Sequence, residues 1–176
     1  NIFGYREFRK GQQEVIDKIL SGKDVFCILP TGGGKSLCYE IPAYIFKGTT
    51  LVISPLISLM KDQVDNLNSL GINAAYISGG NDFEEVKNII RKFIKGEFKL
   101  LYVSPERLEN RYFLDNIEKA NIAQIVVDEA HCVSMWGHDF RKSYSKIKPF
   151  ICNLKKRPII TAFTATATEI VMKDSI

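Results

Sequence analysis

The stretch Leu29-Pro30-Thr31-Gly32-Gly33-Gly34-Lys35-Ser36 follows directly on the apolar run Val25-Phe26-Cys27-Ile28-Leu29. It reads as a strand feeding a glycine loop that opens a helix, the arrangement of a phosphate-binding loop. Glycines let the backbone turn through positive φ and bring several N–H groups to face one anion, which the amino end of the following helix also attracts. Thr31, Gly32, Gly33 and Gly34 form the cradle. Lys35 is placed to reach β- and γ-phosphates, and the Ser36 hydroxyl to ligate Mg²⁺. Leu29 stands where the general pattern has its first glycine.

A second motif needs the first. Ile125-Val126-Val127 is a short buried-strand pattern ending in Asp128-Glu129-Ala130-His131. Two carboxylates at a strand end beside a phosphate loop match nucleotide hydrolysis: Asp128 for the metal, Glu129 to position or deprotonate the attacking water. His131 closes this catalytic set with Lys35, Asp128 and Glu129.

Short apolar runs alternate with longer helical patterns along the whole chain, which predicts one α/β domain over residues 1–176 with a mostly parallel central sheet and helices on both faces. Strands are expected at 25–29, 50–53, 74–77, 100–103, 125–127 and 159–163. Phe83, Val86, Ile90 and Phe93 recur at helical spacing opposite charged residues, a core-packing stripe. Pro42 is expected to kink or shorten the helix after the phosphate loop. No linker or low-complexity tract divides the chain. The segments 31–36, 54–55, 104–105, 128–129 and 164–166 each follow an expected strand, so in a parallel sheet they converge on one edge, where ligands of open α/β folds bind.

Composition fits a globular enzyme. Hydrophobic residues make up 45% and charged residues 25%, which argues against disorder, and 24 basic against 20 acidic residues leave a net charge of +4, compatible with nucleic acid without being diagnostic. No apolar run approaches a membrane span and no signal-peptide pattern opens the chain, so no membrane partner is expected and the location is read as intracellular. Cys27, Cys38, Cys132 and Cys152 form no C-x-x-C pair and read as reduced, buried thiols.

Asp-Glu-Ala-His together with the glycine loop resembles superfamily-two helicases. Five further segments narrow the likeness: 3–12 (Phe-Gly-Tyr-Arg-Glu-Phe-Arg-Lys-Gly-Gln), 54–63 (Ser-Pro-Leu-Ile-Ser-Leu-Met-Lys-Asp-Gln), 104–108 (Ser-Pro-Glu-Arg-Leu), 134–141 (Ser-Met-Trp-Gly-His-Asp-Phe-Arg) and 163–168 (Phe-Thr-Ala-Thr-Ala-Thr). They are similar, in order, to the first RecA-like domain of RecQ DNA helicases, over nearly the whole chain.

That resemblance implies a RecA-like phosphate-loop NTPase lobe using ATP and Mg²⁺, in a parent that translocates 3′ to 5′ on single-stranded DNA, opens partly duplex DNA and serves repair or recombination, in the bacterial cytoplasm or the nucleus. It also implies a second RecA-like lobe and a later zinc region outside this chain, which begins at Asn1 without a methionine and reads as an excised domain. Tyr5 and Arg9 would sandwich the adenine while Gln12 reads its edge. Lys10 stands where many relatives have proline. Ser54, Ser58, Lys61 and Ser104 would meet DNA phosphates; helix capping, with proline at the first helical position, is a second role open to Ser54-Pro55 and Ser104-Pro105.

The 134–144 loop separates RecQ-like chains from other helicases of the superfamily. Trp136 and Phe140, flanked by His138 and Arg141, suit base stacking beside a cationic backbone path, and burial against the sheet is the alternative for both rings. In the family this loop couples DNA occupancy to hydrolysis, with Thr164 and Thr166 in the coupling motif. Met135, Lys142 and Ser143 replace the commoner Gln, Pro and Glu. Two other functions stay open from sequence: an RNA helicase lobe, and a nucleotide-sensing module without hydrolysis.

Overall fold

A computed structural model describes residues 2–4, 7–30, 32–133 and 142–165. Six strands form one sheet in which every pairing is parallel: β1 (Val25–Ile28), β2 (Thr49–Ile53), β3 (Ala74–Ile77), β4 (Leu100–Val103), β5 (Ile122–Val127) and β6 (Ile159–Thr164), in the spatial order β1-β6-β5-β2-β4-β3. Parallel neighbours need crossover helices, and these are α2 (Lys35–Ile45), α3 (Ile57–Ser69), α4 (Phe83–Ile94), α5 (Arg111–Ile117) and α6 (Ile147–Asn153), with α1 (Gln12–Leu20) preceding β1.

Period-two alternation splits the strands between two apolar layers. Leu51, Ile53, Leu101, Val103, Ile125 and Val127 face α4, α5 and α6. Val52, Leu100, Tyr102, Val126 and Phe163 face α1, α2 and α3. Helix α4 shows why such a segment is helical: Asp82 and Glu85 form a reciprocal capping box, and Val86, Ile90 and Phe93 are buried on one stripe. Phe83, expected on that stripe, is instead 59% exposed and packs edge-on against Tyr112, because the first residue of the helix lies beyond the edge of the core.

Other expectations shift at their boundaries. Strand β5 starts at Ile122 rather than 125, because Gln124 is accepted inside the sheet with its amide donating to Thr161 Oγ1 at 3.0 Å. Strand β1 ends at Ile28, one residue early, although the Leu29 N–H still reaches Thr164 O. Helix α2 is not shortened at Pro42 and runs on to Ile45. A proline removes only its own N–H, and the next turn closes normally, with the Phe46 N–H donating to Pro42 O. Cys27, Cys38 and Cys132 are buried, whereas Cys152, near the end of α6, is exposed.

Register aligns the carboxyl ends of the strands. Ile28 pairs with Thr164, Val127 with Ile53, and Ile53 and Ile77 each with Val103. The ladder continues one residue further, with the Asp128 N–H donating to Ile53 O and the Ser54 N–H to Val103 O. This extension brings Asp128 beside Ser54 and sets the acidic motif on the same edge as the glycine loop.

Candidate active site

The glycine loop is shaped by conformations that only glycine adopts cheaply. Gly32 and Gly34 have φ of 75° and 78°, and a Cβ on Gly34 would lie 2.3 Å from Gln12 Nε2. Gly34 is also the N-cap of α2, a helix with no side-chain cap and no acidic residue in its first turn, so its leading amides favour an anion. Two side chains brace the loop from α1 and the segment before it. Gln12, buried, donates to Gly34 O at 3.0 Å and accepts the Arg9 N–H at 2.7 Å, while the Arg9 guanidinium donates to Gly32 O.

Across the edge, Lys35 Nζ lies 3.5 Å from Glu129 Oε1. Glu129 Oε2 is 3.2 Å from His131 Nδ1, which is in turn 2.9 Å from Thr164 Oγ1. The chain therefore links the phosphate loop, the end of β5 and the end of β6 through polar atoms. Glu129 has φ of 49°, a left-handed conformation uncommon outside glycine. Its N–H donates to Asp128 Oδ1 at 3.0 Å and its carbonyl accepts from Cys132, which closes the turn and aims the carboxylate at Lys35.

Asp128 is 7% exposed, and its Oδ2 accepts from the Ser54 hydroxyl at 3.3 Å. Burial pushes its carboxyl above the usual carboxylate range, and the adjacent Glu129 charge pushes the same way. A buried carboxylate and the Ser36 hydroxyl are hard oxygen donors of the kind Mg²⁺ takes, and Mg²⁺ in such sites needs only one or two protein oxygens because phosphates and water complete its shell. Among the described residues no group of three or more His, Cys, Asp or Glu side chains forms a self-sufficient metal cage. The donor set fits Mg²⁺ held together with a nucleotide.

One cavity of about 530 Å³ joins these parts. It is lined by Lys35, Ser36, Asp128 and Glu129, by Arg9 and Gln12, and by the apolar Phe3, Phe8 and Ile41. This mixed polar and apolar lining suits a ligand with a phosphate tail and a flat apolar head.

The other expected residues divide. Ser58 and Lys61 are exposed on α3, whereas Ser104 is nearly buried. Ser104 is the N-cap of the 105–109 turn with Pro105 first in it, as the capping reading requires, but it makes no side-chain cap bond. Ser54 caps nothing: α3 begins at Ile57 after Leu56, and the Ser54 hydroxyl is turned inward to Asp128. Tyr5, Thr31, Trp136, His138, Phe140, Arg141 and Thr166 lie outside the described residues.

Sequence reading missed Tyr144, whose buried hydroxyl donates to Asp128 O at 2.8 Å. It also missed Glu40, 2% exposed on α2, whose carboxylate accepts from Tyr102 at 3.4 Å and is raised by burial to about 7. Neither belongs to a spaced motif, so only the fold reveals them.

The parallel sheet, glycine loop and edge carboxylates define a phosphate-loop α/β domain. More particularly, the DEAD/DEAH box helicase model matches residues 9 to 174, and the chain belongs to that family. It is 49% identical over 175 residues to the ATP-dependent DNA helicase RecQ of Bacillus subtilis, covering 99% of this chain and 30% of that protein. To the RecQ helicase of Pasteurella multocida it is 50% identical over 173 residues, covering 98% of this chain and 27% of the relative. The chain thus spans under a third of the length of these relatives. Among solved structures, a hypothetical ATP-dependent RNA helicase from Sulfolobus tokodaii superimposes with a TM-score of 0.76 at 24% identity, over 97% of this chain and 50% of that one. The DNA-bound helicase MrfA does so with 0.77 at 19%, over 97% and 26%. These two likenesses speak to the fold alone.

Proposed function

We propose that this chain is the ATP-binding lobe of a RecQ-like, ATP-dependent DNA helicase that couples hydrolysis to 3′-to-5′ movement on single-stranded DNA. The observation that carries the reading is the meeting of Lys35, Asp128 and Glu129 in one cavity that apolar side chains also line. The identity to RecQ helicases favours DNA over RNA, as does the Trp136-to-Arg141 segment.

In this account the loop amides and Lys35 hold the phosphates, and Arg9 and Gln12 turn from the loop carbonyls toward the base. Lys35 leaves Glu129 as the phosphates arrive, which frees that carboxylate to orient the attacking water. Asp128 and Ser36 would hold Mg²⁺, which when bound would supply positive charge against that developing on the phosphates. His131 and Thr164 tie Glu129 to the end of β6, the path by which DNA occupancy reaches the chemistry. Ser58 and Lys61, exposed at the start of α3, would meet DNA phosphates. A second lobe would complete the site with arginines, so the lobe by itself is a half-site with little turnover.

The test is ATP turnover by the full-length protein with single-stranded DNA or RNA of matched length. Strong stimulation by DNA and little by RNA is expected. Stimulation by RNA alone would assign an RNA helicase, and binding without turnover under any condition a nucleotide sensor.

A further inference from the structure

The peptide that joins Asp128 to Glu129 is tied at both ends. Its carbonyl accepts the Tyr144 hydroxyl at 2.8 Å, and its N–H donates to Asp128 Oδ1 at 3.0 Å. Rotating that peptide plane changes ψ of Asp128 and φ of Glu129 together, so a bond that fixes the carbonyl also fixes Glu129 at φ 49°. Residues other than glycine populate that region sparsely, and they stay there only where surrounding contacts over-determine the backbone.

Tyr144 is equipped to be such a contact. It is 1% exposed in the apolar layer that holds Leu108, Ala130 and Cys132, where a hydroxyl needs a partner. Its turn, Lys142–Lys146, is seated on the Pro105–Glu109 turn that follows β4, with Ser143 Oγ donating to Glu106 Oε1 at 3.0 Å. The hydroxyl therefore reaches Asp128 O from an element anchored elsewhere on the sheet edge, not from the acidic turn itself. Tyr144 does not line the cavity, so its effect on a bound ligand passes through the backbone. We infer that Tyr144 is a positioning residue whose hydroxyl holds the Asp128–Glu129 peptide in the plane that keeps Glu129 left-handed and its carboxylate aimed into the cavity. This rests on the reading of Glu129 as the group that orients the attacking water.

The experiment is steady-state ATPase of the full-length protein with saturating single-stranded DNA, for the parent, Tyr144→Phe, Glu129→Gln and the double variant. Active sites are counted by nucleotide titration and melting temperatures recorded. Tyr144→Phe keeps the ring and removes the hydroxyl. It should lower kcat about tenfold or more, as misplacement of a reacting group does, and leave KM for ATP within about twofold of the parent. In Glu129→Gln no carboxylate remains to be placed, so the same change should lower turnover by less than about twofold further, because residues that act as a unit are not additive. A packing role predicts a lowered melting temperature with the same fold-loss in both backgrounds. Parent-like kcat in Tyr144→Phe, or equal losses in both backgrounds, would overturn the inference. Counting sites removes unfolded protein from the rate, so a less stable variant still decides. Near-normal turnover in Glu129→Gln alone would defeat the reading of Glu129 itself, and the role of Tyr144 falls with it.

Discussion

Lys35 and Glu129, 94 residues apart in sequence, face each other at 3.5 Å across the edge of the sheet, both largely shielded from solvent. Each is the natural competitor for the other's task. The ammonium that should hold phosphate sits on the carboxylate that should hold water, so nucleotide binding has an ion pair to open before the site can work. Substrate phosphates, carrying more charge than one carboxylate, are the agent suited to open it.

Replacing Lys35 with alanine should therefore do two things. It removes the cation that offsets charge on the β- and γ-phosphates in the transition state, a loss on the order of a hundredfold or more in turnover. It also leaves Glu129 without its counter-ion. Steady-state ATPase of the full-length variant checks this, and near-normal turnover would be incompatible with the site as described.

Gln12→Ala should weaken the preference for ATP over other nucleoside triphosphates more than it lowers turnover at saturation, since a site built to hydrogen-bond a base edge rejects bases that lack the complementary groups. The bond from Gln12 to Gly34 O adds a second effect. Losing it should loosen the loop and weaken all nucleotides together. Competition among ATP, GTP and CTP separates the two, because only adenine reading changes the ratios.

Glu40 gives the protein a pH signature. Burial raises its carboxyl from 4.5 to about 7, a folded value above the unfolded one. Its contribution is therefore intact below about pH 4.5 and is lost as pH rises through 7, when the acid must ionise in the core. Glu40→Gln should match the parent in unfolding free energy near pH 4 and exceed it by on the order of 3 kcal/mol near pH 8. Denaturant unfolding at the two pH values checks the sign, and a variant less stable at high pH would show that Glu40 is paired rather than stranded.

Why one half of this site could be read from sequence and the other could not has a physical basis. Backbone-shaped features leave local marks: the loop needs glycines at 32 and 34, α4 needs Asp82 with Glu85, and buried parallel strands need apolar runs. Features made by distant side chains leave none. Ser54 beside Asp128 and Glu40 under Tyr102 depend on strand order β5-β2-β4, and Tyr144 on the Asp128 carbonyl depends on how the 142–146 turn folds back on the end of β5, none of which a single segment encodes. Strand β5 was underestimated for a related reason, since the buried Gln124 breaks the apolar run and finds its partner only on β6.

Trp136→Ala should uncouple DNA from hydrolysis. A ring that stacks on a base is worth roughly 1–3 kcal/mol, and this one lies a few residues beyond Glu129 in sequence. The full-length variant should keep basal ATPase and nucleotide binding while losing most stimulation by single-stranded DNA. If Trp136 instead fills the core, the melting temperature falls and stimulation survives in the folded fraction. Recording both on one preparation decides it.

In the proposed mechanism Glu129 acts on water rather than on nucleotide binding, held ready by Lys35, His131 and the turn at φ 49°. Glu129→Gln keeps the shape and removes the charge. Measured side by side on the full-length protein with saturating single-stranded DNA, ATP affinity should be unchanged or tighter while turnover falls by a factor on the order of a hundred or more. Turnover within a few-fold of the parent, or ATP binding lost together with turnover, would contradict the account.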